Sequence, residues 1–313
     1  MTQSKRLAVI DLLFVGLLWG FGFIAIKWGI EGFSSLYLNF LRFALAAAIC
    51  GAVGFALPRF RARLNWSDLK VSLVPGVLIG LTLTLQAYGL EFTTITNSSF
   101  ITTLYVVMVP LAEALRTRGS LTLANAGFAG IALLGTALLT GVFTSMSVNV
   151  GDFYTFLCAL TATFHILWLQ KNADRLQSLF TFNLGQFACG SAVAWIAVMI
   201  TDAGTQLPPL AHVHPWLGLF VLTIGATLIA LILETRAQRV LSAFVASLLY
   251  LLEAPIAAAF AFLLLGESLG MAEMLGAALI IASAVLGLRY SHGSVRGSVP
   301  SAAVPRSDAA RAS

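Results

Sequence analysis

Charge is what this sequence has least of. Asp, Glu, Lys and Arg make up 10% of its 313 residues, against about 25% in a soluble domain. That scarcity excludes a water-soluble enzyme or binding module. Cysteine is scarce as well: Cys50, Cys158 and Cys189 all fall inside apolar stretches, which excludes a disulfide framework and a cysteine metal site. There is no Walker sequence, no spaced His/Asp/Glu set and no serine-nucleophile motif, so neither ATP coupling nor bond chemistry is expected and no cofactor is required. What remains is 59% hydrophobic, with a mean hydropathy of +0.92. The composition is that of a polytopic membrane protein. The net charge of +5 does not call for nucleic acid, because the positive residues sit in loops, where they set orientation.

Ten apolar stretches run roughly over 9–29, 34–57, 69–90, 94–117, 122–142, 150–173, 178–201, 213–237, 241–265 and 271–290, separated by Gly, Pro or short polar clusters. The first is too long for a cleaved signal and lacks a cleavage site. The N-terminus, the even-numbered loops and the C-terminus hold every Lys and Arg except Lys27 and Arg42, which fall inside stretches; the odd-numbered loops hold none. Basic residues favour the cytoplasmic side, so both termini are expected there. The tail 291–313, rich in Ser, Gly, Pro, Ala and Arg, is expected to be disordered.

Ten spans divide into two fives. An odd number per half makes the halves enter from opposite sides, so a repeat must be inverted. Traces of one exist. At an offset of 144, Ser34, Asn39, Arg42 and Phe43 align with Ser178, Asn183, Gln186 and Phe187. At an offset of 148, Ser99, Leu104, Ser120 and Leu121 align with Ser247, Leu252, Ser268 and Leu269. The expected architecture is all-α: ten transmembrane helices in two inverted five-helix repeats, 1–149 and 150–290, around a central cavity.

The stretch Leu241–Glu267 carries an acid, Glu253, at its middle, with Pro255 two residues on. A carboxyl group at the bilayer centre costs roughly 2.5–3.5 kcal/mol on insertion scales, so it faces a cavity or a partner. Pro255 cannot donate to the Leu251 carbonyl and favours a kink. Glu253 is either a group that takes up and releases a proton or a fixed polar group. Tyr105 aligns with it at the 148 offset. Helical stripes run beside both: Ser98, Thr102, Tyr105 on one helix and Ala246, Tyr250, Glu253 on the other. Their competing role is interhelical hydrogen bonding and small-residue packing.

The sixth stretch offers Thr161, His165 and Trp168 on one face. His165 either titrates or donates a hydrogen bond, or is a satisfied structural histidine; Trp168 belongs to the cavity or to an interfacial belt. Trp19, mid-helix, is expected to line the cavity or pack in the core. Gln86 is the cavity candidate of the third stretch. Asn39, Arg42, Asn183 and Gln186 form a second symmetric set, in which Arg42 attracts a carboxylate or pairs with Glu31 or Glu253. Lys27 is expected to snorkel outward. Glu234 and Arg236 read as a solvated terminus, Glu113 likewise with Arg116 one turn away, and Asp11 and Asp152 as acids suited to helix starts.

Leu18-Trp19-Gly20, Leu41-Arg42-Phe43 and Leu252-Glu253-Ala254-Pro255 followed by Leu265-Gly266-Glu267 resemble the EamA-type members of the drug/metabolite transporter superfamily, and overall the chain looks most like bacterial aromatic amino acid exporters. It departs from the family pattern at Arg118-Gly119, where first repeats carry an acid. The resemblance implies a transporter of small metabolites with a central cavity lined from both halves. The expectation is a secondary transporter or facilitator in a bacterial cytoplasmic membrane. It would export amphiphilic metabolites, aromatic or large apolar amino acids first, by alternating access. Hydrophobic cations are the rival substrates, and a membrane-embedded enzyme acting on lipid is the rival class. The poverty of intramembrane basic residues argues against phosphorylated sugars. The expected partners are a small-molecule substrate and the bilayer; the sequence leaves oligomeric state open, and a monomer suffices.

Overall fold

The computed structural model describes residues 3–117, 122–142, 149–266 and 268–296. Arg118, Gly119, Ser120, Leu121, Glu267 and the tail beyond Arg296, on which parts of the repeat, motif and tail readings rest, lie outside the described residues.

Every regular element among the described residues is helical. The first group is α1 (Gln3–Gly29), α2 (Ser35–Ala56), the short α3 (Pro58–Arg61) and α4 (Trp66–Val71), α5 (Leu73–Gly89), α6 (Ile95–Thr102), α7 (Tyr105–Thr117) and α8 (Leu123–Thr140). The second is α9 (Val150–Asn172), α10 (Leu179–Thr201), α11 (Val213–Val221), a π-helical run (Leu222–Ile229) leading into α12 (Ala230–Ala237), α13 (Ala243–Tyr250), α14 (Glu253–Leu265) and α15 (Met271–Arg296). Nine helical segments among the described residues are long and apolar enough to span a bilayer, and α5 is a shorter apolar helix. The third apolar stretch is therefore not one helix: it splits at Ser72, whose hydroxyl turns back onto the Leu69 carbonyl. The last helix runs on through Arg296, past the expected start of the tail.

Local chemistry places the ends. Ser34, Thr94, Thr122, Ser178 and Ser242 each cap a helix start by accepting an N–H. Asn149 and Asp152 form a reciprocal capping box at α9, the role read for Asp152. Large apolar side chains such as Ile200, Leu263 and Leu123 are exposed, as in a helix bundle whose solvent is lipid.

Two spans are broken, at matching places. Residues 103–104 separate α6 from α7, and 251–252 separate α13 from α14. In both, tighter three-residue hydrogen bonds replace the four-residue pattern: Leu104 N–H to Ile101 and Val106 N–H to Thr103 in one, Leu252 N–H to Leu249 and Ala254 N–H to Leu251 in the other. α6 and α13 are 8 residues long, α7 and α14 are 13, and each pair starts 148 positions apart. Helices pack closely where glycine allows it. A Cβ on Gly276 would sit 2.5 Å from the Gly135 carbonyl oxygen, so α15 and α8 touch backbone to backbone.

Candidate functional site

The breaks in both spans, the π-helical run and the middle of α1 surround one internal cavity of about 120 Å³. Trp19, Arg42, Gln86, Thr102, Tyr105, His165, Tyr250 and Glu253 line it together. Glu253 sits in the first turn of α14, where the positive end of the helix offsets its charge. A second cavity of about 320 Å³ shares Ile26, Arg42, Leu83, Gln86 and Leu222 with the first and continues past Asn39 to Ser35, Leu90 and Glu91.

Four expected site residues are placed elsewhere. Asn39 is bonded to Thr84 Oγ1 at 3.1 Å and lines the second cavity instead. Ser98 is buried against α9, its hydroxyl accepting from Thr155 at 3.3 Å. Trp168 stacks on Phe182, ring centroids 5.7 Å apart and 12° from parallel. Gln186 stands behind the wall, its Oε1 2.9 Å from His165 Nε2. The stripes of Ser98 and Trp168 each reach the cavity at one end and pack on a neighbouring helix at the other.

Arg42 pairs with neither Glu31 nor Glu253. Its Nε donates to Thr227 Oγ1 at 2.7 Å and its second nitrogen to the Ala226 carbonyl at 3.4 Å. Trp19 Nε1 donates to that same carbonyl at 3.0 Å. Ala226 lies in the π-helical run, whose wider hydrogen-bond pattern occurs often at functional sites. Glu31 lies instead 3.4 Å from His214, both exposed. Trp19 also meets Tyr250, centroids 5.4 Å apart.

The largest correction concerns Glu234. Read as a solvated terminus, it is 2% exposed and lines the cavity. His165 Nδ1 lies 3.6 Å from its Oε1. Gln238 Nε2 donates to that oxygen at 3.5 Å and to the Tyr250 hydroxyl at 2.6 Å; the Tyr250 hydroxyl stands beside the carboxylate. A signal existed: Thr227, Glu234 and Gln238 share one helical stripe that ends in buried amide and acid.

The acids around this wall are also tied down. Asp11 is not a helix-start acid but a partner of Arg236, whose Nε donates to it at 2.6 Å and whose second nitrogen makes the bond bidentate. Glu113 accepts from Gln170 at 2.7 Å, and Gln170 Oε1 accepts the Ala243 N–H. Arg239, beyond α12, donates to the Ala173 and Leu176 carbonyls; its partial burial lowers its pKa, opposed by Asp68 and Asp174. Among the described residues no group of His, Cys, Asp and Glu is placed to hold a metal.

The EamA-like transporter family matches twice, over residues 6–141 and 149–289. An uncharacterized transporter of Archaeoglobus fulgidus is 28% identical over 284 residues, spanning 90% of this chain and 86% of the relative. A solved crystal structure, 17% identical, superposes with a TM-score of 0.75 over 91% of this chain and 98% of its own, and so shares the fold. Both family and relative point to transport rather than catalysis.

Proposed function

The chain belongs to the EamA-like transporter family, and on that premise we propose that it is a secondary transporter or facilitator of small amphiphilic metabolites, working by alternating access. The best-supported substrates are amino acids and related molecules with an aromatic or large apolar side chain. One observation carries this reading: the internal cavity joins aromatic and apolar walls (Trp19, Tyr105, Tyr250, Ile166) to a few polar groups (Gln86, Thr102, His165, Glu253). That mixture suits a ring with one polar end.

The matching helix breaks, 148 positions apart, support ten helices in two inverted repeats, 1–149 and 150–290, with α5 as the short third span. The cavity continues toward Ser35 and Glu91, at the ends of α2 and α5 away from the chain's start. On the opposite side, Asp11–Arg236 and Glu113–Gln170–Ala243 join α1 to α12 and α7 to α9 and α13. This is one arm of an alternating-access cycle. With both termini cytoplasmic, as the Lys and Arg distribution indicates, it is the outward-open arm, in a bacterial cytoplasmic membrane and serving export. A monomer holds the whole cavity.

Hydrophobic cations are a second reading, favoured by two acids, Glu234 and Glu253, on one cavity with several rings. Counterflow in liposomes loaded with purified protein tests both. Labelled phenylalanine should exchange faster than labelled alanine. Equal exchange of the two sinks the aromatic preference, faster exchange of a quaternary aryl cation moves the assignment to the second reading, and no exchange of any solute sinks the transporter reading.

A further inference from the structure

The wall around Glu234 holds several buried polar atoms with no hydrogen-bond partner. Glu234 Oε2 and Gln238 Oε1 are buried and accept no hydrogen bond, and the Tyr105 hydroxyl is buried without a partner. Their residues are 2%, 2% and 5% exposed. His165 adds a further acceptor. Its Nε2 faces Gln186 Oε1, and Gln186 Nε2 donates onward to Asn183 Oδ1 at 3.2 Å. The ring must therefore donate from Nε2, and a neutral ring leaves Nδ1 bare, 3.6 Å from Glu234 Oε1. Two acceptors then face each other beside a third. An unpaired buried acceptor is costly, and a ligand group made of donors alone would relieve several at once. An alkylammonium has three donors and no acceptor.

Anion binding does not fit this wall. Among the described residues Arg42 is the one Lys or Arg that lines the cavity, and its donors go to Thr227 and to the Ala226 carbonyl. Thr227 and Glu234 lie on one continuous helical segment, seven residues and roughly 10 Å apart along the axis. One carbon separates the two charges of an α-amino acid, too short a link to reach both places.

We propose that the Glu234 end of the cavity is an ammonium subsite, in which Glu234, His165 and Tyr105 receive the protonated primary amine of the substrate while its ring lies toward Trp19 and Tyr250. Glu253, on the facing half-helix, adds a second carboxyl group to the same space. The substrate carboxylate is dispensable for recognition, so the class is aryl-alkyl primary amines, amino acids included. This rests on the transporter reading for its meaning but not for its test.

Binding to purified protein in lipid nanodiscs, read by tryptophan fluorescence, uses three probes: phenethylamine, phenylalanine and 3-phenylpropionate. The two amines should bind within about threefold of each other and the acid at least about tenfold more weakly. Glu234→Gln keeps the size and removes the charge. It should weaken both amines about tenfold or more, the worth of one charge-assisted bond, and leave the acid unchanged. Equal binding of amine and acid by the unmodified protein, or unchanged amine binding by Glu234→Gln, overturns the subsite. Should Glu234→Gln not fold, Tyr105→Phe removes a hydroxyl with no internal partner and should weaken the amines severalfold with thermal stability intact; unchanged amine affinity overturns the proposal. A protein that binds the amines as expected yet exchanges nothing in liposomes keeps the subsite and loses the transporter reading.

Discussion

Tyr105 and Glu253 stand 148 positions apart, and each is the first residue of the second half of a broken helix, facing the same cavity. A phenol thus occupies in one half the place an acid occupies in the other. The two halves keep the backbone break and differ in the chemistry mounted on it.

Close packing of α8 on α15 should be intolerant at one glycine and indifferent at another. Gly276→Ala puts a methyl against the Gly135 carbonyl, backbone that cannot step aside. Overpacking of this kind costs about 1–3 kcal/mol. Gly127→Ala and Gly130→Ala, on α8 with open space around them, should leave stability unchanged. Thermal unfolding in detergent compares the three; equal midpoints would refute the packing.

Of two tryptophans expected in the cavity, only one should set selectivity. Trp19→Ala should weaken an aromatic solute by about 0.5–1.5 kcal/mol beyond lost area, with small solutes less affected. Trp168→Ala, which removes the stack on Phe182, should lower stability and keep the ratio of aromatic to small solute flux. A changed ratio in Trp168→Ala would bring that ring back into the cavity.

The Asp11–Arg236 pair should couple α1 to α12. Its arginine side chain is 54% exposed and its aspartate 8%, so solvent screening limits it to about 1 kcal/mol. Asp11→Asn and Arg236→Gln should each cost stability, and the double variant less than the sum. Strict additivity in a double-mutant cycle would show the pair to be idle.

Topology is checked at Gly204, in the exposed segment between α10 and α11, where its carbonyl accepts from Ser34. A cysteine there should react with a membrane-impermeant thiol reagent added to whole cells. Reaction only after lysis would invert the arrangement.

The spans were legible in the chain because a bilayer imposes long apolar runs, a one-dimensional signal. The offset of 144 also has a local counterpart: Ser34 and Ser178 both cap helix starts. Side-chain facing was harder. Ser98 and Trp168 fall on stripes that begin at the cavity and finish on a neighbour, and only packing decides where a stripe leaves the wall. The helix breaks left one half-signal: Pro255 follows the second, while the first has no proline within its turn, its nearest being Pro110. Glu234 stayed hidden because an acid two residues from an arginine at the end of an apolar run looks solvated, and its burial is made by His165 and Tyr250 from distant segments.

The π-helical run Leu222–Ile229 has a consequence for inheritance. An α-helix turns about 100° for each residue, so a residue added to or taken from the wide turns swings everything after it by that angle. Glu234 comes after it. Shortening the run by one residue would carry the acid off the wall and bring Thr235 into its place. In this transporter a change of chain length within the run can alter the cavity as a substitution at the acid would.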